Sequence, residues 1–381
     1  MKAIAVNRTG EDGQAHLDGS DNDTIHLRTD LPDPSLEEFP DGRGVLVKIL
    51  QVGTCGTDRE INRGEYGAAP PNEDFLVLGH ECFGEVLEVG PKVKDFKAGD
   101  LVTATVRRPG TGALDRMFFH DMTHDDIYFE RGINLLHGFF CERIAEHESF
   151  LIKMPQHLRQ IGVLSEPMSV VQKGIRLAYS MQQARFPDFH PRRALVTGAG
   201  AIGQLAALAL RLRRVEVVVS ARTPGPHRKA ELLDQIGARY VATEGENMAE
   251  VLADEDPFDL IFESSGSSRV ALAEAPFLLG KNGVCIWSSI SGGDGKCEVR
   301  ADEINQRAVL GNQLFFGTVN AHMIDFERGV RDFEHGMELF TGWLPKLLTN
   351  KIDLSNATDR DAPREIMKSD RDGVKAFVNL A

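Results

Sequence analysis

The sequence predicts an α/β protein in two parts: an N-terminal β-rich module and a doubly wound parallel-sheet module, with a C-terminal tail that returns to the first. Three observations carry this. Short β signals separated by Gly, Pro and Asp turns fill the first hundred residues. From about Glu166 helix and strand patterns alternate, and the strands are continuously apolar, as in a parallel sheet covered on both faces. A G-x-G-x-x-G run lies between one such strand and the helix after it. At 381 residues the chain exceeds what one hydrophobic core usually supports. Two domains are expected, 1–167 with 322–381 and 168–321.

In chain order, Ala3 to Val6 alternate, and strands are expected at Gly44 to Val52, Phe75 to Leu78, Gly84 to Val89 and Asp100 to Val106. The second module should hold a helix Met168 to Met181, a buried strand Ala194 to Thr197 and a long helix from Ile202. A strand Val215 to Ser220, a helix Arg228 to Ile236 and a strand Leu260 to Glu263 follow. Then come a helix Arg269 to Leu279 and strands Gly283 to Ser288 and Gln313 to Val319. A helix from about Ile324 to Leu348 leads to the tail, where Val374 to Leu380 is the strand expected to return.

The formal net charge of -14 repels phosphate backbones, so nucleic acid is not expected as a partner and any bound phosphate needs a local basic pocket. Cysteines stand at 55, 82, 141, 285 and 297, an odd count without a C-x-x-C pair, which indicates no disulfide framework. No signal-peptide pattern opens the chain, and the most apolar helix, near Ala201 to Leu210, is too short to span a bilayer. A cytoplasmic protein without membrane contact is expected.

In the G-x-G-x-x-G run, Gly198 permits the tight turn, Gly200 lets the backbone approach a pyrophosphate, and Gly203 lets helix and strand pack closely. Ala201 and Ile202 open the helix whose N-terminus faces the phosphates. An acidic residue is expected at the end of the next strand if NAD is gripped by its ribose hydroxyls. That strand instead ends Val219-Ser220-Ala221-Arg222-Thr223. At an effective dielectric of about 20, a carboxylate about 5 Å from a phosphate charge costs roughly 3 kcal/mol. Without that acid, and with the planar donor of Arg222 beside Ala221, NADP is favoured. NAD stays open, because Arg222 in solvent would leave a site that uses both.

A thiol, an imidazole and a carboxylate occupy two loops of the β module, in Gly53-Thr54-Cys55-Gly56-Thr57-Asp58 and Leu78-Gly79-His80-Glu81. A further carboxylate, Glu166, precedes Pro167 at the passage to the second module. Mixed sulfur, nitrogen and oxygen donors suit zinc, and an incomplete protein shell leaves a position for a substrate oxygen.

These motifs, in this order, resemble the medium-chain, zinc-dependent alcohol and polyol dehydrogenases over nearly the whole chain. The segments Thr105 to Pro109, Tyr128 to Ile133, His137 to Phe140 and Gly317 to Asn320 are most similar to the archaeal type of glucose dehydrogenase. The resemblance implies a GroES-like catalytic domain and a Rossmann nucleotide-binding domain. It implies one catalytic zinc held by Cys55, His80 and Glu81, with Glu166 as fourth or exchanging ligand. Thr57 would relay the alcohol proton. Glu142 and Asn320 would hydrogen-bond sugar hydroxyls, with Asn320 also beside the coenzyme. The implied reaction moves a hydride from C1 of an aldose, glucose or galactose, to NAD(P) and gives a lactone, in a homodimer or homotetramer.

One departure concerns a lobe in which many relatives hold a second, structural zinc with four cysteines. The corresponding positions are Pro109, Gly112, Asp115 and Thr123, so no structural zinc is expected. His120, Asp121, His124, Asp125 and Asp126 read as a solvated loop. Two other functions stay open: polyol, alcohol or threonine oxidation by the same chemistry, and a zinc-free NADP-binding protein of the same architecture.

Overall fold

The computed structural model describes residues 1–7, 24–65, 67–291, 295–354, 363, 366–368 and 373–380. The first half contains β1 (Ala3–Asn7), β2 (Ile25–Arg28), β3 (Gly44–Gly53), α1 (Gly56–Asn62), β4 (Phe75–Val77), β5 (Glu81–Val89) and β6 (Leu101–Ala104). β7 (Arg107–Arg108), α2 (Ala113–Arg116), β8 (Phe129–Arg131), β9 (Leu135–Leu136), β10 (Arg143–His147) and β11 (Leu151–Met154) complete it. The second half opens with α3 (Ser165–Arg185), β12 (Arg193–Thr197), α4 (Ala201–Leu212), β13 (Glu216–Ala221), α5 (Arg228–Gln235), β14 (Arg239–Ala242) and α6 (Met248–Val251). It continues with β15 (Phe258–Glu263), α7 (Ala275–Leu278), β16 (Leu279–Trp287), α8 (Ala301–Leu310), β17 (Leu314–Gly317), α9 (Met323–Leu339), β18 (Leu348–Asp353) and β19 (Lys375–Asn379).

β3 is the spine of the first module. Its ten residues pair antiparallel with β5, β10 and β19, in a sheet ordered β11-β6-β5-β3-β19-β18 with β10 also against β3. Val45, Val47, Ile49 and Val52 of β3 are buried in one cluster with Val86, Val102, Ile144 and Val378, which fixes the register by the inward face. Smaller sheets, β2-β1-β4 and β7-β8-β9, flank it.

The second module is a six-stranded parallel sheet in the order β14-β13-β12-β15-β16-β17. Its strands are apolar at successive positions because both faces are covered: Ala194 and Val196 pack in one cluster, the intervening Leu195 in another. The order reverses between β12 and β15, which opens the crevice where dinucleotides bind in such sheets.

The tail returns as expected, with Val378 of β19 opposite Val52 of β3. Its neighbour Phe377 faces the other way, into a core cluster that runs without interruption from Leu50, Phe83 and Met154 of the first module to Val196 and Phe262 of the second. Helix α9 packs on α3 and α4, and Phe333 joins the same cluster.

Several elements, among them α1, β14 and α6, were not expected from the sequence, and three further differences have a clear local cause. The helix expected to reach Leu348 ends at Leu339, because the chain turns through Gly342 at φ +75 and meets Pro345 in a short 3-10 turn, Leu344–Leu347. The helix expected from Arg269 begins as a π turn, Val270–Glu274, before Pro276, whose missing N–H interrupts an ordinary ladder. Helix α8 was not expected. It buries no residue, so it carries no apolar stripe for a sequence pattern to reveal.

Phe377→Ala removes a ring that joins the two modules through their shared core. Urea unfolding should show a loss of about 3 kcal/mol, whereas Leu339→Ala, at the exposed end of α9, should change stability by less than about 0.5 kcal/mol.

Candidate active site

Three segments of the first module meet where β3 ends and β5 begins. Gly53 stands opposite Glu81 in the ladder, so the loop after β3 and the bend before β5 are held side by side. Cys55, His80 and Glu81 converge there, with ligand atoms all within 4.8 Å of one another. His80 and Glu81 are buried at 4% and 2% exposure, while Cys55 stays partly accessible. The bend at Gly79 has φ +88, and a Cβ there would stand 2.7 Å from the ring of Phe140, so glycine alone lets His80 take this position.

Each member has a partner behind it. The Asp58 carboxylate accepts the Cys55 backbone N–H at 2.8 Å and faces His80 Nδ1 at 3.7 Å. Burial opposes the charged imidazole, but Asp58 and then Cys55 outweigh it and raise the His80 pKa well above its ordinary value. Lys375, the first residue of β19, donates to Glu81 Oε1 at 2.5 Å and to the Thr54 carbonyl at 2.9 Å, and it also pairs with Glu81 Oε2. Burial likewise opposes the lysine charge, and Glu81, Cys55 and Glu166 more than offset it. Gly53 leaves the room this pair needs: a Cβ there would lie 1.9 Å from Glu81 Oε2 and 2.9 Å from Lys375 Cε.

Glu166, in the first turn of α3, is outside the 4.8 Å cluster. It is nonetheless close enough that burial, and then the Glu81 charge, push its carboxyl up to about 7. The Thr57 hydroxyl lies 3.7 Å from the Cys55 sulfur. His80 Nδ1 and Asp58 Oδ1 are buried and face each other beyond hydrogen-bond reach, while Glu81 Oε2 is held by the Lys375 ion pair. A thiol, an imidazole and a carboxylate at this spacing are a donor set that fits a zinc ion.

The glycine loop folds as its sequence requires. Gly198 has φ +93, and its N–H donates to the Ser220 carbonyl at 2.8 Å. A Cβ at Gly203 would stand 1.9 Å from the Gly198 carbonyl oxygen, which is the close helix–strand approach expected of it. A Cβ at Gly200 would meet nothing within 4 Å, so the start of α4, at Ala201 and Ile202, is open on that side. Ala221 ends β13 and Arg222 follows it, exposed.

Glu142 and Asn320 are not brought together. The Glu142 carboxylate accepts the Lys2 backbone N–H at 2.8 Å and lines a cavity with Ile4, Leu27, Phe140 and Leu380, which includes none of the metal-cluster residues. Asn320, at φ +60, instead donates its amide to Glu130 Oε1. Glu130 is 2% exposed and also accepts Arg107 Nε and Nη2 at 3.0 and 2.7 Å. The solvated-loop reading of residues 120–126 also needs correction, since Asp121 is buried and pairs with the buried Lys173 at 2.8 Å. Within the same lobe, the Thr123 hydroxyl donates to the buried Asp115 at 2.9 Å.

The sequence reading missed Asp58, Glu130 and Lys375. Asp58 lies within the quoted loop, three residues after Cys55, a spacing that permits a carboxylate to reach back to the loop's own backbone. Nothing local marks Lys375, whose partner lies 294 residues away.

Comparison with known proteins finds relatives along the whole chain. Residues 41–156 match the family described as the alcohol dehydrogenase GroES-like domain, and residues 159–380 match glucose dehydrogenase C-terminus. A glucose 1-dehydrogenase of Methanocella arvoryzae is 36% identical over 382 aligned residues, covering 100% of this chain and 99% of that protein. Glucose 1-dehydrogenase 1 of Vulcanisaeta moutnovskia is 39% identical, over 87% of this chain and 90% of its own. The structure of Haloferax mediterranei glucose dehydrogenase in complex with NADP, Zn and gluconolactone superposes with a TM-score of 0.86 at 29% identity, over 100% and 99% of the two chains.

Lys375→Met leaves the Glu81 charge buried and unpaired. It should lower the unfolding free energy by about 3 to 5 kcal/mol in denaturant titration, and adding Glu81→Gln should recover part of that loss. Gly53→Ala should displace the Glu81 carboxylate and lower zinc content, measured by atomic absorption, below that of the native protein.

Proposed function

Because this chain belongs to the glucose dehydrogenase family of zinc-dependent alcohol dehydrogenases, we propose that it oxidises C1 of an aldose such as glucose or galactose. The convergence of Cys55, His80 and Glu81 on one 4.8 Å cluster carries this reading. The C1 hydrogen leaves with its electron pair to NADP, the hydroxyl proton is released, and the products are an aldonolactone and NADPH.

Cys55, His80 and Glu81 would hold the zinc, with Glu166 as the fourth or exchanging ligand. Zinc supplies Lewis acidity toward an alcohol oxygen, which makes loss of its proton feasible near neutral pH. The protein's own groups do the rest. Asp58 faces the Nδ1 side of the His80 ring and sets its orientation. Lys375 offsets part of the Glu81 charge and fixes that carboxylate's position. The Thr57 hydroxyl takes the substrate's hydroxyl proton on Oγ1 and passes it outward.

The coenzyme would lie along Gly198 to Gly203, its phosphates toward Ala201 and Ile202 at the start of α4. The exposed Arg222, beside Ala221 and without a neighbouring acid at the strand end, would take a 2′-phosphate. Asn320 would present its amide to a sugar hydroxyl and would stand beside the coenzyme, and the buried Glu130 behind it fixes that amide. Residues 1–167 with 322–381 would act as the catalytic part and 168–321 as the nucleotide-binding part.

The same reading expects a homodimer or homotetramer. Val309 and Leu310 on α8 are 65% and 70% exposed, and α8 buries none of its residues in one chain. No helix among the described residues is long and apolar enough to cross a membrane. All five cysteines are free, which suits a cytoplasmic setting.

A steady-state panel of aldoses, polyols and short alcohols against NADP and NAD, followed by absorbance of the reduced coenzyme, tests the assignment. Aldose oxidation with NADP is expected, and no turnover of any aldose would overturn it. Arg222→Ala should raise KM for NADP about tenfold or more and leave KM for NAD within about twofold. Glu130→Gln should raise KM for the sugar about tenfold, more than Glu142→Ala does, because only Glu130 touches Asn320. Cys55→Ala should lose bound zinc and activity together.

A further inference from the structure

Helix α3 carries a buried lysine that no step of the proposed reaction uses. Lys173, in the middle of the helix, is 1% exposed. An ammonium taken out of water is costly unless acceptors meet its three N–H groups. Three acceptor atoms stand around this one: the Asp121 carbonyl at 2.9 Å, the Asp121 carboxylate at 2.8 Å and the Val319 carbonyl at 2.8 Å. Asp121 belongs to the lobe and Val319 to the segment that follows β17, so one nitrogen ties three separate parts of the chain together.

The Val319 carbonyl is the informative partner. Its side chain is 59% exposed, so a polar contact and not packing holds this residue. Asn320 comes next, at φ +60, in the left-handed region, where a residue with a side chain needs its neighbours to keep it. Lys173 holds the carbonyl just before Asn320, and Glu130 accepts the Asn320 amide. Two residues on, the His322 N–H donates to Asp325 Oδ2 at 3.1 Å, and Arg176 of α3 donates to both oxygens of Asp325 at 2.6 and 2.9 Å. Lys173 and Arg176 are three residues apart and share one face of α3, so that face holds the segment on both sides of Asn320. Glu166, beside the metal cluster, lies on the same helix seven residues before Lys173, about 10 Å along its axis. One rigid element therefore spaces the metal cluster from the segment that carries Asn320.

We propose that Lys173 is a positioning residue for the sugar: through the Val319 carbonyl it fixes where the Asn320 amide meets the substrate, and so sets the KM for the aldose. The inference rests on the reading of Asn320 as a sugar contact. Lys173 itself touches no reacting atom and moves no proton.

The test is a double-mutant cycle between Lys173→Met and Asn320→Ala, read as KM and kcat for the aldose at saturating NADP in the zinc-loaded protein. Lys173→Met removes the donor and keeps the length of the side chain. It should raise KM for the sugar about tenfold and change kcat by less than about threefold. Asn320→Ala should raise the same KM, and Lys173→Met added to it should raise KM by no more than about twofold further, because residues that act through one contact are not additive. A lysine that served stability alone would lower the active fraction, and with it kcat, and leave KM as it is. Lys173→Met combined with Asp121→Asn also removes the stranded carboxylate charge and should show the same rise in KM, which keeps the question answerable if the single variant does not fold. An unchanged KM in either Lys173 variant, or full additivity with Asn320→Ala, would overturn the inference. A native KM in Asn320→Ala would instead overturn the reading of Asn320 beneath it, and the inference with it.

Discussion

A buried ion pair between Lys375 and Glu81 joins the last strand of the fold to the first residue of β5, and the candidate site depends on it. Two charges taken out of water are costly unless they meet in good geometry with further hydrogen bonds, and here the Thr54 carbonyl supplies one more. The pair constrains the sequence around it. Gly53 must lack a side chain, since a Cβ would occupy the space of the Glu81 carboxylate. The consequence reaches beyond local stability. The thiol of Cys55, the imidazole of His80 and the Glu81 carboxylate share a site only because β3, β5 and β19 are neighbours in one sheet.

A second set of buried charges fastens the lobe to the second module. Lys173, in the middle of α3, donates to the Asp121 carbonyl at 2.9 Å and to the Val319 carbonyl at 2.8 Å while pairing with the Asp121 carboxylate. Arg107, Glu130 and Asn320 form another chain of contacts across the same seam. Arg108 and Arg131 both pair with the buried Glu146, which they hold at about 2 against the opposing effect of burial. Direct polar contacts thus hold this lobe in place, and they bring Glu130 and Asn320 together.

What the sequence made legible was whatever has a local period or a local spacing. The parallel sheet showed itself in continuous apolar strands such as Ala194 to Thr197, and the phosphate loop in three glycines whose spacing answers to one turn. The metal trio was legible as two short motifs, Cys55 with Thr57 and His80 with Glu81, joined by a resemblance that spans the chain. What stayed hidden has no such period. Helix α8 has no buried face, and the contact of Asn320 with Glu130 crosses 190 residues. Glu130 carried no mark in the sequence as a partner of Asn320, because only the fold brings the two together. Lys375 sat inside a correctly placed strand, but a strand pattern states which faces are buried and not which charge another strand presents.

The charge distribution resolves an apparent conflict in the composition. A chain of net charge -14 is a poor host for a coenzyme with several phosphates, if its charge acts as a whole. It does not act so at physiological salt, because exposed charges are screened beyond about 8 Å. The groups at the crevice that would meet a coenzyme's phosphates are the open start of α4 beyond Gly200 and the exposed Arg222. Both would favour anionic phosphates, so a local site can accept what the net charge of the whole would repel. Net acidity therefore governs how the surface meets solvent, while a few fixed charges along one sheet edge govern what the crevice accepts.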